Sequence, residues 1–382
     1  MDQNQNLIAF LQKAVQTRSY SDGEGPMAEL VVAEMQKLGY DEAYIDRTGN
    51  AVGRIGCGPK VIHFDGHMDT VQVNDPEDWE HDPFGGQIVD GELWGRGSVD
   101  MKGGLCAAVY AAAAARDAGY LDGKTVYVTG TVCEEYCDGV NLELFYGDTG
   151  LKPDFCVICE PSGNLITLGH KGKAQVRITA HGVSAHGSAP EKGKNAVYEM
   201  AEIIQRVEAL NARLYKPDAP HGTVVLSDIS CVSASLNAVP SECSVYLDRR
   251  LALGETLDQV RAEMDELVAG KDATWEVGCL DHVSWKGRDL HYVPMHDPWK
   301  TDEDAPIAQA LIDSYATVCG HAPEQFDFWD FGTNGITPIA HGVPTIGFGP
   351  GPYKLAHMTN EHTPVADVEL AFEVYKQLIA NL

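Results

Sequence analysis

Val61-Ile62-His63-Phe64-Asp65-Gly66-His67-Met68-Asp69-Thr70 is an apolar run, β-branched at its start, that breaks at a glycine and delivers a histidine and an acid. Such a run reads as a buried strand emerging at the edge of a sheet, where ligand sites gather. If extended backbone persists past Gly66, His67 and Asp69 project to the same side, because side chains alternate along a strand. The imidazole then offers one ring nitrogen to a divalent metal, and a nearby carboxylate accepts a hydrogen bond from the other. A structural His/Asp pair at a strand end is the competing reading of this stretch alone.

The same pattern recurs. Thr125-Val126-Tyr127-Val128-Thr129-Gly130-Thr131-Val132 runs into Cys133-Glu134-Glu135, and the strand from Phe155 to Cys159 runs into Glu160-Pro161-Ser162. Gly91-Glu92-Leu93-Trp94-Gly95-Arg96-Gly97-Ser98-Val99-Asp100-Met101-Lys102-Gly103-Gly104 leads into an alanine-rich helix through Ala115. Gly and Lys before a helix raise the thought of a P-loop, but the Gly-Lys-Ser/Thr order is absent, which removes phosphate binding. Asp100 is better read as an oxygen ligand, with a helix N-cap as its alternative. Adjacent Glu134 and Glu135 must diverge, so one can reach a metal while the other addresses a water beside it. An exposed acidic turn explains any one of these acids. It does not explain His67, Asp100, Glu134/Glu135 and Glu160 each closing a separate apolar strand or strand-like run.

A chain of 382 residues, 44% of them apolar, exceeds what one core usually supports, so two domains are expected. With 56 acidic against 28 basic side chains, the formal net charge of −28 argues against a surface that neutralises nucleic-acid phosphates. The ten cysteines are scattered and read as buried free thiols; Cys156 and Cys159, three apart on a strand, face opposite ways and do not chelate one ion together. A reducing cytoplasm fits. The start, Met-Asp-Gln-Asn-Gln-Asn, has no basic and apolar leader pattern, and no apolar run approaches the roughly 20 residues that span a bilayer, so no membrane anchoring is expected.

Helical spacing marks Leu7 to Leu11 and Met27 to Met35, on either side of the turn-rich Ser21 to Pro26. Asp75-Pro76-Glu77-Asp78-Trp79 reads as an acidic loop long enough to overhang a site. From Gln175 the pattern changes to a half-exposed strand, a helix from about Asn195, strands near 222–236 and 242–252, a helix from about Thr256 to Ala269 and a strand near 274–279. This block reads as an inserted α+β domain. Asp281 to Lys300 then returns to the first domain; its His282, His291 and His296 have no regular metal-ligand spacing and read as surface or loop residues. Helix 305–318 and strand Thr345 to Phe348 resume an α/β pattern, and the last polar cluster is Ala356 to His362.

Taken together, His67-Met68-Asp69, Asp100-Met101-Lys102-Gly103-Gly104, Glu134-Glu135, Glu160-Pro161 and His357 through Glu361 resemble the M20 family of metallopeptidases and deacylases, across nearly the whole chain. That family includes succinyl-diaminopimelate desuccinylase, acetylornithine deacetylase, aminoacylase-1 and carboxypeptidase G2. The wording of His63 to Asp78 and of Gly332-Thr333-Asn334-Gly335 is similar to its branch of selenium-metabolism-linked hydrolases. The resemblance implies two zinc ions per subunit, with Co²⁺ or Mn²⁺ as substitutes. His67, Asp100 and Glu160 would hold one, and Asp100, Glu135 and His357 the other, with Asp100 bridging through a carboxylate that follows into a cis peptide at Asp100–Met101. Asp69 would sit behind the ligands, and Glu134 would be the general base. Glu at 160 resembles the deacylase and carboxypeptidase members.

The resemblance also makes the inserted block a lid and dimerisation domain, carrying Gly182-Val183-Ser184-Ala185-His186-Gly187-Ser188-Ala189-Pro190. His186 would reach the partner subunit's site and help stabilise an oxyanion. Asn237 and Arg250 would bind a substrate carboxylate, with Arg249 as the alternative to Arg250. Asn334, where many relatives carry an acid, would be a further substrate-binding position. The expected architecture is α/β: a discontinuous zinc-peptidase-like catalytic domain (1–174 and 286–382) with a central mixed sheet flanked by helices, and an α+β lid (175–285). The expected function is hydrolysis of dipeptides or N-acyl (including N-carbamoyl) amino acids with a free carboxylate, by a cytoplasmic homodimer. The alternatives are hydrolysis of a non-peptide C–N bond in nitrogenous-base catabolism, or a catalytically inactive binding protein on this fold.

Overall fold

A computed structural model describes residues 3–382. The chain forms two compact units: one comprises the chain up to Gly169 with Asp281–Leu290 and Lys300–Leu382, the other His170–Leu280 with His291–Trp299. In the first unit the sheet order runs Glu42–Ile45, Ala51–Gly56, Lys124–Thr131, Lys60–His67, Phe155–Ile158, Thr345–Gly347, Ile166–His170. Lys60–His67 lies parallel to both Lys124–Thr131 and Phe155–Ile158, which in turn is parallel to Thr345–Gly347; the flanking strands are antiparallel. The sheet is therefore mixed, with a parallel centre. From Ile62 onward Lys60–His67 is buried, as expected where helices cover both faces of parallel strands. Strand order reverses at Lys60–His67, between neighbours drawn from later in the chain, and the carboxyl ends of its parallel group all point the same way. Such a point is where open α/β sheets bind ligands.

The helix Lys102–Asp117 is buried from Lys102 to Ala115 and packs on the sheet, on helix Gln3–Gln16 and on helix Val365–Asn381. Its small side chains make that approach possible. At Gly104 a Cβ would lie 2.0 Å from the carbonyl oxygen of Cys159, at the end of the strand that leads to Glu160. Asp100 is not delivered by the main sheet. A separate three-stranded sheet of Gln87–Val89, Glu92–Trp94 and His362–Pro364 precedes it, so the segments carrying Asp100 and His357 arrive together.

The second unit is an antiparallel sheet in the order Thr223–Val232, Glu242–Leu251, Gly172–His181, Ala273–Val277. Helices Ala196–Leu214 and Leu257–Val268 cover it, enclosing Ile178, Val245, Met200, Ile203, Val260 and Met264. Both helices start where their caps dictate: Asn195 accepts from the Val197 amide at 2.9 Å, and Thr256 with Gln259 forms a capping box.

The division differs from the expected boundaries at 174/175 and 285/286. Strand Gly172–His181 belongs whole to the second sheet, so the break precedes it. Within Asp281 to Lys300, residues 281–290 and 300 belong to the first unit, but His291–Trp299 belongs to the second, where Met295 and His296 pair with Ala174 and Lys173. A two-residue strand has no periodicity to read. The thiols are all free, as expected, but Cys57, Cys231 and Cys279 are exposed rather than buried.

Gly104→Ala should lower stability by about 1–3 kcal/mol, the usual result of forcing an extra carbon into a packed interior. Urea denaturation followed by tryptophan fluorescence measures it; an unchanged midpoint would mean that helix and strand separate freely.

Candidate metal centre

The carboxyl ends of three parallel elements meet at one place. Register pairs His67 with Thr131, which sets the Cys133-Glu134-Glu135 turn beside His67, and pairs Asp65 with Ile158, which brings Glu160 level with it. His67 Nε2 lies 2.9 Å from Asp100 Oδ1, 3.6 Å from Glu160 Oε1 and 4.0 Å from Glu134 Oε2. His357 Nε2 lies 3.2 Å from the other Asp100 oxygen, Oδ2, and 2.9 Å from Glu135 Oε2. Donor atoms of His67, Asp100 and Glu135, and of His67, Glu134 and Glu160, form two groups, each mutually within 4.8 Å. The adjacent glutamates diverge: Glu135 goes to His357, while Glu134 stays on the His67 and Glu160 side. The Asp100–Met101 peptide is cis. The helix after Asp100 is capped by Met101 with no side-chain bond, so Asp100 is not an N-cap.

Charge is crowded here. Burial raises Glu134 and Glu160 well above the ordinary glutamate range, with neighbouring acids adding to it and His67 opposing it. Glu135 is raised for the same first reason, with Asp100 adding. For His67 burial pulls down, but Glu160, Asp100 and Glu134 outweigh it and hold the imidazole well above its usual value. Hydrogen bonds to Asp100 and Glu135 lift His357 to about 10. For Asp100 burial pushes up, and the bonds from His357 and His67 more than reverse it. Imidazole nitrogens and carboxylate oxygens crowded in this way are the donor set of divalent-metal sites.

Asp69 acts differently from the expectation. His67 Nδ1 donates to the backbone carbonyl of Asp69 at 2.9 Å, with the carboxylate oxygen 3.6 Å away. That bond fixes the tautomer and leaves Nε2 for the centre. The Asp69 carboxylate instead accepts from the amides of Glu134 (3.0 Å) and Glu135 (3.2 Å), and from Ser21 Oγ (2.7 Å). Asn334 is a correction. It is buried, its Nδ2 donates to Asp65 Oδ2 (2.9 Å) and Thr131 Oγ1 (3.0 Å), and its Oδ1 accepts from the Gly139 amide (2.7 Å), so its amide is engaged inside the protein.

Other positioning groups escaped the sequence reading. Glu361 is buried and ion-paired with Arg96 at 2.6 Å, and it accepts from the amides of Val99 (2.9 Å) and Asp100 (3.1 Å). It lies at the end of the polar cluster already singled out, but nothing in its spacing marks it as a brace. Lys102 donates to the carbonyls of Ala14 (3.0 Å) and Thr17 (2.9 Å) rather than to any phosphate.

Against this geometry, the description of peptidase family M20/M25/M40 matches residues 63–381. The chain belongs to that family. It is 38% identical over 366 residues to the uncharacterised protein YgeY of Escherichia coli (strain K12), covering 95% of this chain and 91% of that one. It is 30% identical over 385 residues to a succinyl-diaminopimelate desuccinylase of Cereibacter sphaeroides (strain ATCC 17029), covering 98% of each. In fold it is similar to an M20 family metallo-carboxypeptidase of Sulfolobus solfataricus, with TM-score 0.76, 21% identity and coverage of 100% and 99%. This M20 protein is a metal-dependent hydrolase.

The remaining expected residues of the M20 hydrolase lie in the second unit. His186 is exposed, and its Nδ1 accepts from the Ser188 amide at 3.1 Å, so the ring proton sits on Nε2. Asn237 is exposed, its carbonyl accepting from Gly187 at 2.6 Å. Arg250 is half-buried against Asp248 (2.8 Å). Arg249 is buried between Glu255 and Glu263, both at 3.0 Å. His282 stacks on Tyr136 with ring centroids 4.8 Å apart. Among the described residues, His282, His291 and His296 join no metal-capable cluster.

Zinc entering the metal-free protein at about pH 7 should displace protons, because His67, His357 and Glu160 all have raised pKa values there. Calorimetric heats in buffers of different ionisation enthalpy should show proton release, and apparent affinity should rise from about pH 6 to 8. A flat affinity would mean that these groups do not bind the metal.

Proposed function

We propose that this enzyme is a two-zinc amide hydrolase of dipeptides or N-acyl amino acids bearing a free carboxylate. The observation that carries the proposal is Asp100, whose two oxygens are divided between His67 and His357 at 2.9 and 3.2 Å. His67, Asp100 and Glu160 would hold one ion, and Asp100, Glu135 and His357 the other. Bound there, such ions supply Lewis-acid polarisation of the scissile carbonyl and lower the pKa of a water. Glu134 is buried beside the donors, and its raised pKa suits it to take a proton from the attacking water and pass it to the leaving nitrogen. His67 and the Asp69 carboxylate keep their places through main-chain partners, so the base and its neighbours are held before substrate arrives.

The second unit is proposed as a lid and dimerisation domain. Strand Thr223–Val232 is an edge strand, and Val225, Ile229 and Val232 on it are 54, 53 and 56% exposed. Unpaired edges with apolar side chains are surfaces that natural proteins cover. In the homodimer His186 would donate from Nε2 to an oxyanion in the partner subunit's site, with Arg250 and Asn237 on the substrate carboxylate. Among the described residues no helix is long and apolar enough to cross a membrane, and the free thiols support a reducing cytoplasm.

Hydrolysis of a panel of dipeptides, N-acyl and N-carbamoyl amino acids, with and without zinc, tests the substrate class; turnover confined to non-peptide C–N compounds would transfer the reading to nitrogenous-base catabolism. On the best substrate, Glu134→Gln should lower kcat about 10²–10⁴-fold while metal content stays unchanged. A variant near full activity would place the base elsewhere.

Mixing inactive His186→Ala subunits with inactive Glu134→Ala subunits tests the dimer. A heterodimer has one site lacking both groups and one site with both, so part of the activity should return. Mixed dimers that recover none would show that His186 does not act across subunits.

A further inference from the structure

The turn that carries the two glutamates opens on three consecutive amides, those of Cys133, Glu134 and Glu135, and each donates to a buried carboxylate. Asp69 takes the second and third. The first goes to Glu24 Oε1 at 2.9 Å, and Cys133 Sγ lies 3.4 Å from the same oxygen. Glu24 is wholly buried and stands just before helix Gly25–Lys37, yet its side chain makes no capping bond to that helix. Its carboxyl is turned to the Cys133 turn instead. The other oxygen, Oε2, has no hydrogen-bond partner among the described residues. Burial, with the charge of Asp69 adding, lifts the acid to about 7.

The turn needs such a hold. Cys133 sits at φ 56°, in the left-handed region that disfavours a residue with a Cβ, and the helix it opens, Glu134–Cys137, is too short to be stable alone. Ser21 reaches Asp69 from the same N-terminal loop, and Asp22 Oδ1 lies 3.6 Å from Cys133 Sγ. The loop between the first two helices thus grips the back of the turn whose front faces the metal centre.

We propose that Glu24 is a positioning residue for hydrolysis: by accepting the Cys133 amide alongside Asp69, it fixes the turn that aims Glu134 at the water and Glu135 at a metal ion. It touches neither substrate nor metal. The proposal rests on Glu134 as base and Glu135 as ligand. Ala at this position leaves the Cys133 amide buried and unpaired and lets the turn relax. Gln keeps the acceptor oxygen and the volume.

The test is a zinc titration of metal-free wild type, Glu24→Ala and Glu24→Gln against a chromophoric chelator, with steady-state kinetics on the fastest substrate of the panel. Glu24→Ala should weaken one of two zinc ions about 10–100-fold, the usual range for losing a group behind a metal ligand, and leave the other within a few-fold. Its kcat should fall by a similar factor with KM little changed, and Glu24→Gln should recover most of both. A general loosening of the fold would weaken both ions and would not be rescued by Gln, which overturns the proposal. If Glu24→Ala does not fold, Glu24→Asp takes its place, since it keeps the acid but shortens the reach, and the same pattern is expected. Two unchanged ions with unchanged kcat in a folded variant overturn the role of Glu24 alone. Wild type that binds fewer than two ions overturns instead the reading of the site.

Discussion

A single carboxylate, Asp100, stands between two imidazoles, and the rest of this end of the molecule keeps it there. Its position depends on Glu361, which holds the amides of Val99 and Asp100 from a segment distant in sequence and is itself paired with Arg96 in the interior. A buried ion pair is a poor source of net stability, but removing one partner strands the other, typically at about 3–5 kcal/mol. That asymmetry makes the Arg96–Glu361 pair a device for location: the loop bearing Asp100 has one low-energy place to be.

The acids at this end of the sheet fall into two kinds. Asp100, Glu134, Glu135 and Glu160 crowd around His67 and His357 and need a cation to relieve them. Asp69, Glu361 and Glu24 face main-chain amides, and each fixes a segment that carries one or more of the first kind. Carboxylates are suited to both jobs, because their oxygens accept hydrogen bonds from amides and also bind hard cations. The large excess of acid in the composition is thus partly structural in this one place, whereas in the second unit it is spent on Arg249 and on the surface.

What was legible in the sequence was whatever leaves a local trace. An apolar run ending at Gly66, Val132 or Cys159 declares a strand, so His67, Glu134, Glu135 and Glu160 could each be placed at a strand end from pattern alone. The helix starts near Asn195 and Thr256 were equally local. Asp100 was legible as a ligand but not by its route, since the small sheet before it pairs residues 92–94 with residues 362–364. Asn334 misled because its partners, Asp65, Thr131 and Gly139, lie far away in the chain and turn a polar residue in a glycine-rich loop into a core clamp. Glu24 was silent for the same reason: a long-range bond to a main-chain amide has no side-chain motif at its other end. Segment 291–299 was misplaced because short bridges carry no period.

The central claim is that Asp100 bridges two metal ions, and crystals of zinc-loaded protein measured at the zinc absorption edge test it most directly. Two anomalous peaks about 3.5–4 Å apart, one on each side of the Asp100 carboxylate, are the expected result. A single peak, or two peaks that do not share Asp100, would contradict the account.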